Sequence, residues 1–130
     1  MPFYLNSGIN VGSLTKELGE ATRGMAVVQL MPAVNDASVP VAREFKKSAE
    51  AKPGTPLTTK GLEGYVAAKI LVEGLKRAGK DLTREKFVLA LEGVQNFDLG
   101  GISAHYSATD HAGIAYVDLA VISRGGQTLR

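Results

Sequence analysis

Residues 24–32 read GMAVVQLMP, a short apolar run that contains two valines and is bounded by a glycine and a proline. These features are typical of a buried strand. Residues 3–5 indicate a second, shorter strand, which runs into the turn-forming residues 6–8. Between the strands, residues 13–18 predict a short helix with Ser13 as its N-cap. The chain therefore opens with a predicted strand–helix–strand unit, a crossover if the two strands are parallel.

Helical patterns occupy the middle of the chain, over residues 41–51, 59–78 and 83–94. Gly79 is a suitable residue to follow the end of the longest helix, because glycine tolerates the left-handed backbone found there. Thr83 is a suitable N-cap for the last helix. The sequence thus predicts three consecutive helices after the opening unit.

Strand patterns return in the C-terminal part of the chain, over residues 102–106 and 114–122. The polar and glycine-containing residues 107–113 between them indicate a turn. The predicted order is strand–helix–strand, three helices and then C-terminal strands, which places the chain in the α/β class.

The composition excludes several classes of function. The 130 residues include 15 Lys and Arg against 13 Asp and Glu, and no basic run concentrates the net charge of +2. We therefore expect no nucleic-acid partner. The chain has no cysteine, which excludes disulfides, thiolate metal sites and cysteine nucleophiles. No apolar stretch approaches the ~18 residues of a membrane span, and the first residues lack the pattern of a signal peptide.

Positive support for catalysis is also lacking. His105 and His111 are the only histidines, and their spacing matches no metal-binding motif, so we expect no metal site. Gly8 and Gly12 lie between a strand and a helix, but the remaining residues of a phosphate-binding loop are absent. We expect neither an enzyme nor a bound cofactor.

The helix over residues 59–78 has an unusual distribution of polar side chains. Its predicted solvent-facing stripe consists of Lys69, Glu73, Lys76 and Lys80. Its predicted buried side consists of Ala67, Ala68, Leu71, Leu75 and Ala78. Extended towards the N-terminus, the polar stripe leads to Leu62, Tyr65 and Val66. We therefore expect these three apolar side chains to be covered by something outside the 130 residues.

Two polar residues allow two interpretations each. Glu63 either complements the positive end of the helix dipole, worth about 0.3–1 kcal/mol, or faces a ligand or another domain. Gly61 and Gly64 on either side of it would permit a close approach. Ser7 follows a strand and precedes a helix, which is where open α/β sheets bind ligands, but it can equally be a simple turn residue.

Several stretches, in their order and spacing, resemble one family. They are residues 18–21, 24–32, 62–69, 74–85, 96–101 and 109–113. Together they are similar to the C-terminal third of the type I periplasmic solute-binding proteins of ABC transporters, in the branched-chain amino-acid class. The resemblance covers nearly the whole chain and implies part of a two-lobed α/β fold in which ligand binds between the lobes.

This resemblance implies a domain assignment. Residues 1–57 resemble elements of the second lobe, residues 58–95 resemble elements of the first lobe, and residues 96–130 form C-terminal strands. The implied function is non-covalent binding of a small amino acid or related carboxylate for ABC-type uptake.

The same resemblance implies the ligand contacts. Ser7 and Gly8 correspond to a cleft loop of the second lobe. Lys60, Gly61 and Glu63 correspond to the cleft-facing start of a first-lobe helix. Glu63 would pair with a ligand ammonium group, and Ser7 would hydrogen-bond either charged end of the ligand.

The implied location is periplasmic, and the implied partner is an ABC permease. About two-thirds of the family's length has no counterpart in this sequence, which should leave sheet edges and apolar surface uncovered, so we expect the chain to self-associate. Three alternatives remain open: the ligand-sensing module of a receptor or regulator with the same fold, a ligand-free vestigial fragment, and a small α/β enzyme.

Overall fold

The computed structural model describes residues 3–129, which form two compact units. One unit combines the chain up to Met31 with the chain from Val117 onwards, and the other is Pro32–Tyr116. These boundaries differ from those of the segments 1–57, 58–95 and 96–130. The assignment of those segments to family lobes stays a prediction.

The order of elements confirms the predicted α/β class. The strands are β1 (Tyr4–Leu5), β2 (Ala26–Gln29), β3 (Phe97–Asp98), β4 (Ser103–Ser107), β5 (Asp110–Gly113), β6 (Asp118–Ile122) and β7 (Thr128–Leu129). The helices are α1 (Val11–Leu18), α2 (Pro40–Glu50), α3 (Thr59–Ala78) and α4 (Arg84–Glu92), and a 3-10 helix follows α1 at Gly19–Thr22.

The first unit is built on a four-stranded sheet of order β1-β2-β6-β7. β1 and β2 are parallel, which confirms the predicted crossover through α1. β6 and β7 add to the sheet in antiparallel fashion. The N-cap of α1 is Asn10 and not Ser13, because the Asn10 side chain accepts the Ser13 backbone N–H at 3.1 Å. The prediction placed the cap three residues late because Ser and Asn are comparable capping residues.

One face of this sheet is buried. Val27 in β2 and Ala120 in β6 are direct cross-strand partners, and both are buried, as is Ile122. Thr22 in the 3-10 helix is buried as well, and its hydroxyl donates to the Gly19 carbonyl at 2.8 Å. These residues form the buried side of the sheet of the first unit.

The second unit packs α2, α3 and α4 with the three-stranded sheet β3-β4-β5. Its core residues come from every one of these layers except α4. They include Val41, Phe45, Leu62, Val66, Leu99 and Ala104. Gly74 of α3 lies under α4, since a Cβ there would approach the Leu91 side chain to 2.7 Å. The missing side chain is what allows the two helices to come this close.

The loop from Asp98 to Gly101 fastens β3 to the start of α2. The Asp98 carboxylate accepts the backbone N–H groups of Gly100 at 2.8 Å and Gly101 at 3.2 Å. The Gly100 carbonyl in turn accepts the Val41 N–H at 2.9 Å. Gly100 has φ +106°, and a Cβ there would lie 2.9 Å from the Val41 nitrogen, so both conformation and space require glycine.

The C-terminal turn is shorter than predicted. Residues 107–113 were expected to form a turn, but β5 occupies Asp110–Gly113 and pairs with β4. The Ser107 hydroxyl accepts the Asp110 N–H at 3.0 Å and closes a tight hairpin. β6 then begins only at Asp118, so the predicted strand over residues 114–122 is correct in its second half.

The predicted polarity of α3 is wrong for part of its polar stripe and for most of its apolar side. Lys69 and Glu73 were expected to face solvent, but they lie on the same side of the helix as the buried Leu62, Val66 and Gly74. Both are only partly exposed, because Lys69 pairs with Glu44 of α2 at 2.6 Å and Glu73 pairs with Arg77 at 2.7 Å. Lys76 and Lys80 are exposed as predicted, but four residues of the predicted buried side are exposed as well: Ala67, Ala68, Leu71 and Leu75.

Two of the three apolar side chains expected to need outside cover are therefore buried within this chain. Leu62 and Val66 belong to the core of the second unit, and Tyr65 packs against Phe45 with ring centroids 5.6 Å apart. The expectation of outside cover is therefore wrong for Leu62 and Val66, whereas Tyr65 is partly exposed. The apolar residues of α3 that are exposed lie on the opposite side, at Leu71, Val72 and Leu75.

Candidate functional site

The first candidate cluster is the turn that follows β1. The Asn6 side chain accepts the Gly8 backbone N–H at 3.0 Å, and the Asn6 carbonyl accepts the Ile9 N–H at 3.3 Å. These bonds hold Ser7 at the tip of a defined turn, where it is partly buried. The turn lies at the carboxyl end of a parallel strand and directly before α1. That is the position at which open α/β sheets bind ligands.

The second candidate cluster is the first turn of α3. Thr58 caps the helix, and its side chain accepts the Gly61 backbone N–H at 3.0 Å. The Lys60 ammonium donates to both carboxylate oxygens of Glu63, each at 3.0 Å. The pair is partly exposed, and the Glu63 side chain is more enclosed than that of Lys60. An ion pair of this exposure contributes at most about 1 kcal/mol to folding.

The two glycines of this turn have different surroundings. A Cβ on Gly61 would lie 2.8 Å from the Phe45 ring, so Gly61 is required by the packing of α3 against α2. Nothing lies within 4 Å of the corresponding position on Gly64. Space for a close approach beside Glu63 is therefore found on the Gly64 side.

The structure brings the predicted residues together in two groups. Lys60, Gly61 and Glu63 share one helical turn in the second unit. Ser7 and Gly8 share one loop turn in the first unit. Within each group the residues are close neighbours: the first group occupies the start of α3, and the second lies in the loop before α1.

Sequence reasoning predicted the turn over residues 6–8 but not the side-chain role of Asn6 in it, and it did not single out Thr58. Asn6 shapes the turn around Ser7, and Thr58 fixes the start of α3. A signal for both exists in the sequence. Asn directly after a strand favours a side-chain-to-backbone turn, and Thr before an apolar periodic run is a typical N-cap.

The chemistry that these clusters offer is non-covalent. Lys60 and Glu63 present opposite charges, which suits a ligand that carries both an ammonium and a carboxylate group. Over residues 3–129 there is no group of three or more metal-ligating side chains. Within the same described range, no helix is both long enough and apolar enough to cross a bilayer.

Comparison with a family model gives a match to the periplasmic binding proteins over residues 4–127. Comparison with curated proteins gives no match. Comparison with solved structures gives several strong matches in which nearly all of this chain is aligned. A substrate-binding periplasmic protein from Ralstonia solanacearum is 32% identical with a TM-score of 0.88, and the alignment covers 97% of this chain and 37% of that one.

Two further structures agree with this match. An extracellular ligand-binding receptor from Verminephrobacter eiseniae is 32% identical with a TM-score of 0.85, and the alignment covers 100% of this chain and 38% of that one. A possible leucine/isoleucine/valine-binding protein from Rhodopirellula baltica is 27% identical with a TM-score of 0.87, covering 99% and 36% of the two chains.

These relatives are described as binding proteins and receptors, which agrees with the expectation that this is not an enzyme. The chain spans little more than a third of the length of each of them. The match to the family model covers most of the sequence, and the fold agrees with that of the Ralstonia solanacearum protein at a TM-score of 0.88. The chain belongs to the periplasmic binding protein family and has part of its type I fold.

Proposed function

We propose that this chain is the ligand-contacting C-terminal portion of a solute-binding protein for a small amino acid or related carboxylate. The observation that supports this is the Lys60–Glu63 ion pair at the start of α3, in a chain of the periplasmic binding protein family. A relative that is 27% identical is described as a possible leucine/isoleucine/valine-binding protein. The proposed role is ABC-type uptake in the periplasm, with a membrane permease as partner of the full-length protein.

In the proposed complex, each charged end of the ligand pairs with a side chain of opposite charge. Glu63 accepts a hydrogen bond from the ligand ammonium, and Lys60, released from Glu63, donates to the ligand carboxylate. Breaking the Lys60–Glu63 ion pair costs little free energy, because the pair is partly exposed and weak. Gly64 leaves room beside Glu63, and Gly61 keeps the first turn of the helix in place.

The Ser7 turn supplies the second group of contacts. The hydroxyl of Ser7 hydrogen-bonds either charged end of the ligand, and Gly8 keeps the backbone accessible beside it. In the proposed full-length protein, residues 1–57 belong to one lobe, residues 58–95 belong to the other, and residues 96–130 form the C-terminal strands. Closure of the lobes would exclude water and strengthen each contact.

The test is an NMR titration of the ¹⁵N-labelled 130-residue chain with leucine, isoleucine, valine and glutamate. We expect at least one of them to shift the amide signals of Ser7 and Gly8, or of Lys60, Gly61 and Glu63. Affinity should lie in the millimolar range, near −4 kcal/mol, because most contacts of a full binding cleft are absent. N-acetyl-valine amide, which lacks both charged ends, should produce no such shifts.

Glu63→Gln sharpens the test. It removes the charge with little change in shape, and we expect it to weaken amino-acid binding roughly tenfold, equivalent to about 1.4 kcal/mol. The matched control is Glu73→Gln, which breaks a similar pair with Arg77 on the same helix. Equal affinity in the two variants would remove Glu63 from the proposed site. A lack of response to every amino acid at both clusters would refute binding by this chain.

A receptor function is the second candidate. It is favoured by the Verminephrobacter eiseniae structure, a 32% identical relative described as an extracellular ligand-binding receptor. Both candidates use the same ligand chemistry, so the titration does not separate them. The neighbouring genes do: a permease and an ATPase support uptake, whereas a signalling protein supports sensing.

Self-association is part of the proposal. Large apolar side chains are exposed in both units, among them Tyr4, Val117, Leu89 and Leu129. Exposed apolar side chains of this size favour association with other proteins. We expect the 130-residue chain to form concentration-dependent oligomers in sedimentation-velocity experiments.

A further inference from the structure

The first turn of α3, which carries Lys60 and Glu63, lies against the ring of Phe45 in α2. A Cβ on Gly61 would lie 2.8 Å from Cζ of Phe45, so the tip of the ring already touches the Gly61 backbone. Phe45 is only 5% exposed, and a close-packed interior leaves such a ring little freedom to move away. The ring therefore determines how closely the first turn of α3 approaches α2.

The backbone at Gly61 in turn determines where the two charged side chains of this turn begin. Gly61 directly follows Lys60 and lies two residues before Glu63, within one turn of helix. The Lys60 ammonium lies 3.0 Å from each carboxylate oxygen of Glu63, and this arrangement depends on the backbone that joins them. The Thr58 hydroxyl holds Gly61 from the helix end by accepting its N–H at 3.0 Å. Phe45 holds Gly61 from the side of α2.

The position of Phe45 is itself fixed by contacts on either side of it in α2. Val41, one turn earlier, donates its backbone N–H to the Gly100 carbonyl at 2.9 Å. Glu44, the residue directly before Phe45, accepts a hydrogen bond from the Lys69 ammonium at 2.6 Å. These bonds tie α2 to the glycine loop after β3 and to the middle of α3. The ring is thus held in place by contacts that lie outside the first turn of α3.

A second aromatic ring restrains Phe45 along α3. Tyr65 lies one turn after Gly61, and its ring centroid is 5.6 Å from that of Phe45 with the two planes at 47°. Tilted aromatic pairs at this distance attract one another. Phe45 therefore contacts α3 at two positions one turn apart, and both contacts must give way before the start of α3 can rotate against α2.

We propose that Phe45 is a positioning residue for the candidate site at the start of α3. By holding the Gly61 backbone, it keeps the Lys60 ammonium and the Glu63 carboxylate in the arrangement that receives the two charged ends of an amino acid. Binding groups that are rigidly placed before the ligand arrives need less ordering on binding. This inference rests on the proposed function and adds a residue that controls ligand affinity from the core.

The contact between Phe45 and Gly61 permits a test by exchange of volume. Phe45→Leu removes the ring tip that lies against Gly61, so the first turn should become more mobile. Gly61→Ala adds a methyl group where the ring tip now lies, so the turn should be displaced. In the double variant the added methyl group fills part of the space left by the shortened side chain, and we expect much of the original geometry to return.

Amide hydrogen exchange measures the effect without any ligand. Exchange at Gly61, Leu62 and Glu63 should be faster by about tenfold in each single variant, beyond any acceleration shared by the whole second unit, and nearly normal in the double variant. The matched control is Val94→Ala, which shortens a buried side chain of the same unit outside α2 and α3. It should accelerate exchange across the unit without selecting these three amides.

The NMR titration with leucine, isoleucine, valine and glutamate measures the effect on binding. We expect Phe45→Leu and Gly61→Ala each to weaken the affinity read from the Lys60 and Glu63 signals by about fivefold, and the double variant to recover most of that loss. Val94→Ala should bind like the unchanged chain. Phe45→Met, whose flexible side chain adapts to the site, replaces Phe45→Leu if the latter does not fold.

Other results overturn the proposal. If the losses of affinity in the two single variants simply add in the double variant, the contact between Phe45 and Gly61 does not set the geometry of the site. Normal affinity in Phe45→Leu despite faster exchange refutes the positioning role. If no amino acid shifts any signal of the unchanged chain, the proposed ligand function fails together with the role of Phe45 in binding. The exchange measurement still decides in that case whether Phe45 holds the first turn of α3.

Discussion

The two sides of α3 differ in how their polar and apolar residues are used. On the inner side, charged residues lie among buried ones: Lys69 and Glu73 are partly enclosed and paired, next to the fully buried Leu62 and Val66. On the outer side, an uncharged apolar stripe is exposed. A lysine or glutamate in a helical pattern therefore does not by itself identify the solvent side of the helix. The side chain can lie beside the core when an opposite charge or a carbonyl is within its reach.

The largest difference between the two sides should appear when leucines are shortened. Leu62→Ala removes a side chain that is 0% exposed, and we expect a loss of about 3 kcal/mol in the free energy of unfolding because a cavity remains. Leu71→Ala removes one that is 50% exposed, and its loss should be below about 1 kcal/mol. Urea unfolding followed by circular dichroism measures both.

Equal losses of stability in Leu62→Ala and Leu71→Ala would contradict the proposed difference between the two sides of α3. The measurement is made at a protein concentration low enough for the chain to be monomeric, because Leu71 is exposed and self-association would change its surroundings.

Removing the N-caps of α3 and α4 should have effects of intermediate size on the free energy of unfolding. Thr58 accepts the Gly61 N–H at 3.0 Å, and Thr83 accepts the Lys86 N–H at 3.2 Å. Thr58→Ala should cost about 1 kcal/mol in global stability, because α3 contributes buried residues to the core. Thr83→Ala should cost less, because α4 has no fully buried residue and its start can fray locally.

Hydrogen exchange distinguishes the two effects. Thr58→Ala should accelerate exchange throughout the second unit, whereas Thr83→Ala should accelerate it mainly in the first turn of α4. Equal and unit-wide acceleration in both variants would show that α4 is as firmly tied to the core as α3.

The polar contacts on the inner side of α3 should contribute no more to stability than the N-cap of α3. Lys69 donates to Glu44 at 2.6 Å and to the Leu99 carbonyl at 3.0 Å. Lys69→Met keeps the aliphatic stem but loses both bonds, and we expect a cost of about 1 kcal/mol. Glu44→Gln weakens only the partly exposed ion pair and should cost no more than about 0.5 kcal/mol in urea unfolding. If the two variants are equal, the bond to Leu99 adds nothing.

Much of the fold could be predicted because its local signals are strong. The observed bounds of α3 agree with the predicted ones, since Gly79 and a long periodic pattern mark the helix. The strand–helix–strand order of β1, α1 and β2 followed from two short apolar runs around a helix, and the structure shows that the two strands are parallel. These features depend on residues that are close together in the sequence.

The errors concern contacts between residues that are distant in the sequence. Nothing near Lys69 indicates that Glu44 and the Leu99 carbonyl lie within its reach, so the inner side of α3 was taken for the solvent side. For the same reason, only part of the candidate site could be predicted from the sequence. Periodicity singled out Glu63 and strand position singled out Ser7, but the Lys60–Glu63 pair emerged only from the structure.

The inner side of α3 also influences the acid stability of the chain through the Asp98 loop. The pKa of Asp98 is held below its ordinary value of 3.8, first by the Gly100 N–H, then by the Gly101 N–H and to a lesser extent by the charge of Lys69. A carboxylate with a lowered pKa stabilises the folded state above its unfolded-state pKa. That contribution is lost as the pH falls through the lower, folded-state pKa.

Asp98→Asn should therefore flatten the dependence of stability on pH below about pH 4, because asparagine can still accept a backbone N–H but does not titrate. Thermal unfolding between pH 2 and pH 6 measures this, with Asp81→Asn as a charge-matched control at an exposed loop position. Lys69→Met should reduce the slope only slightly, since the two glycine N–H groups act more strongly than the lysine charge. A slope that Lys69→Met alters more than Asp98→Asn would mean that the inner side of α3, and not the glycine turn, governs the acid response.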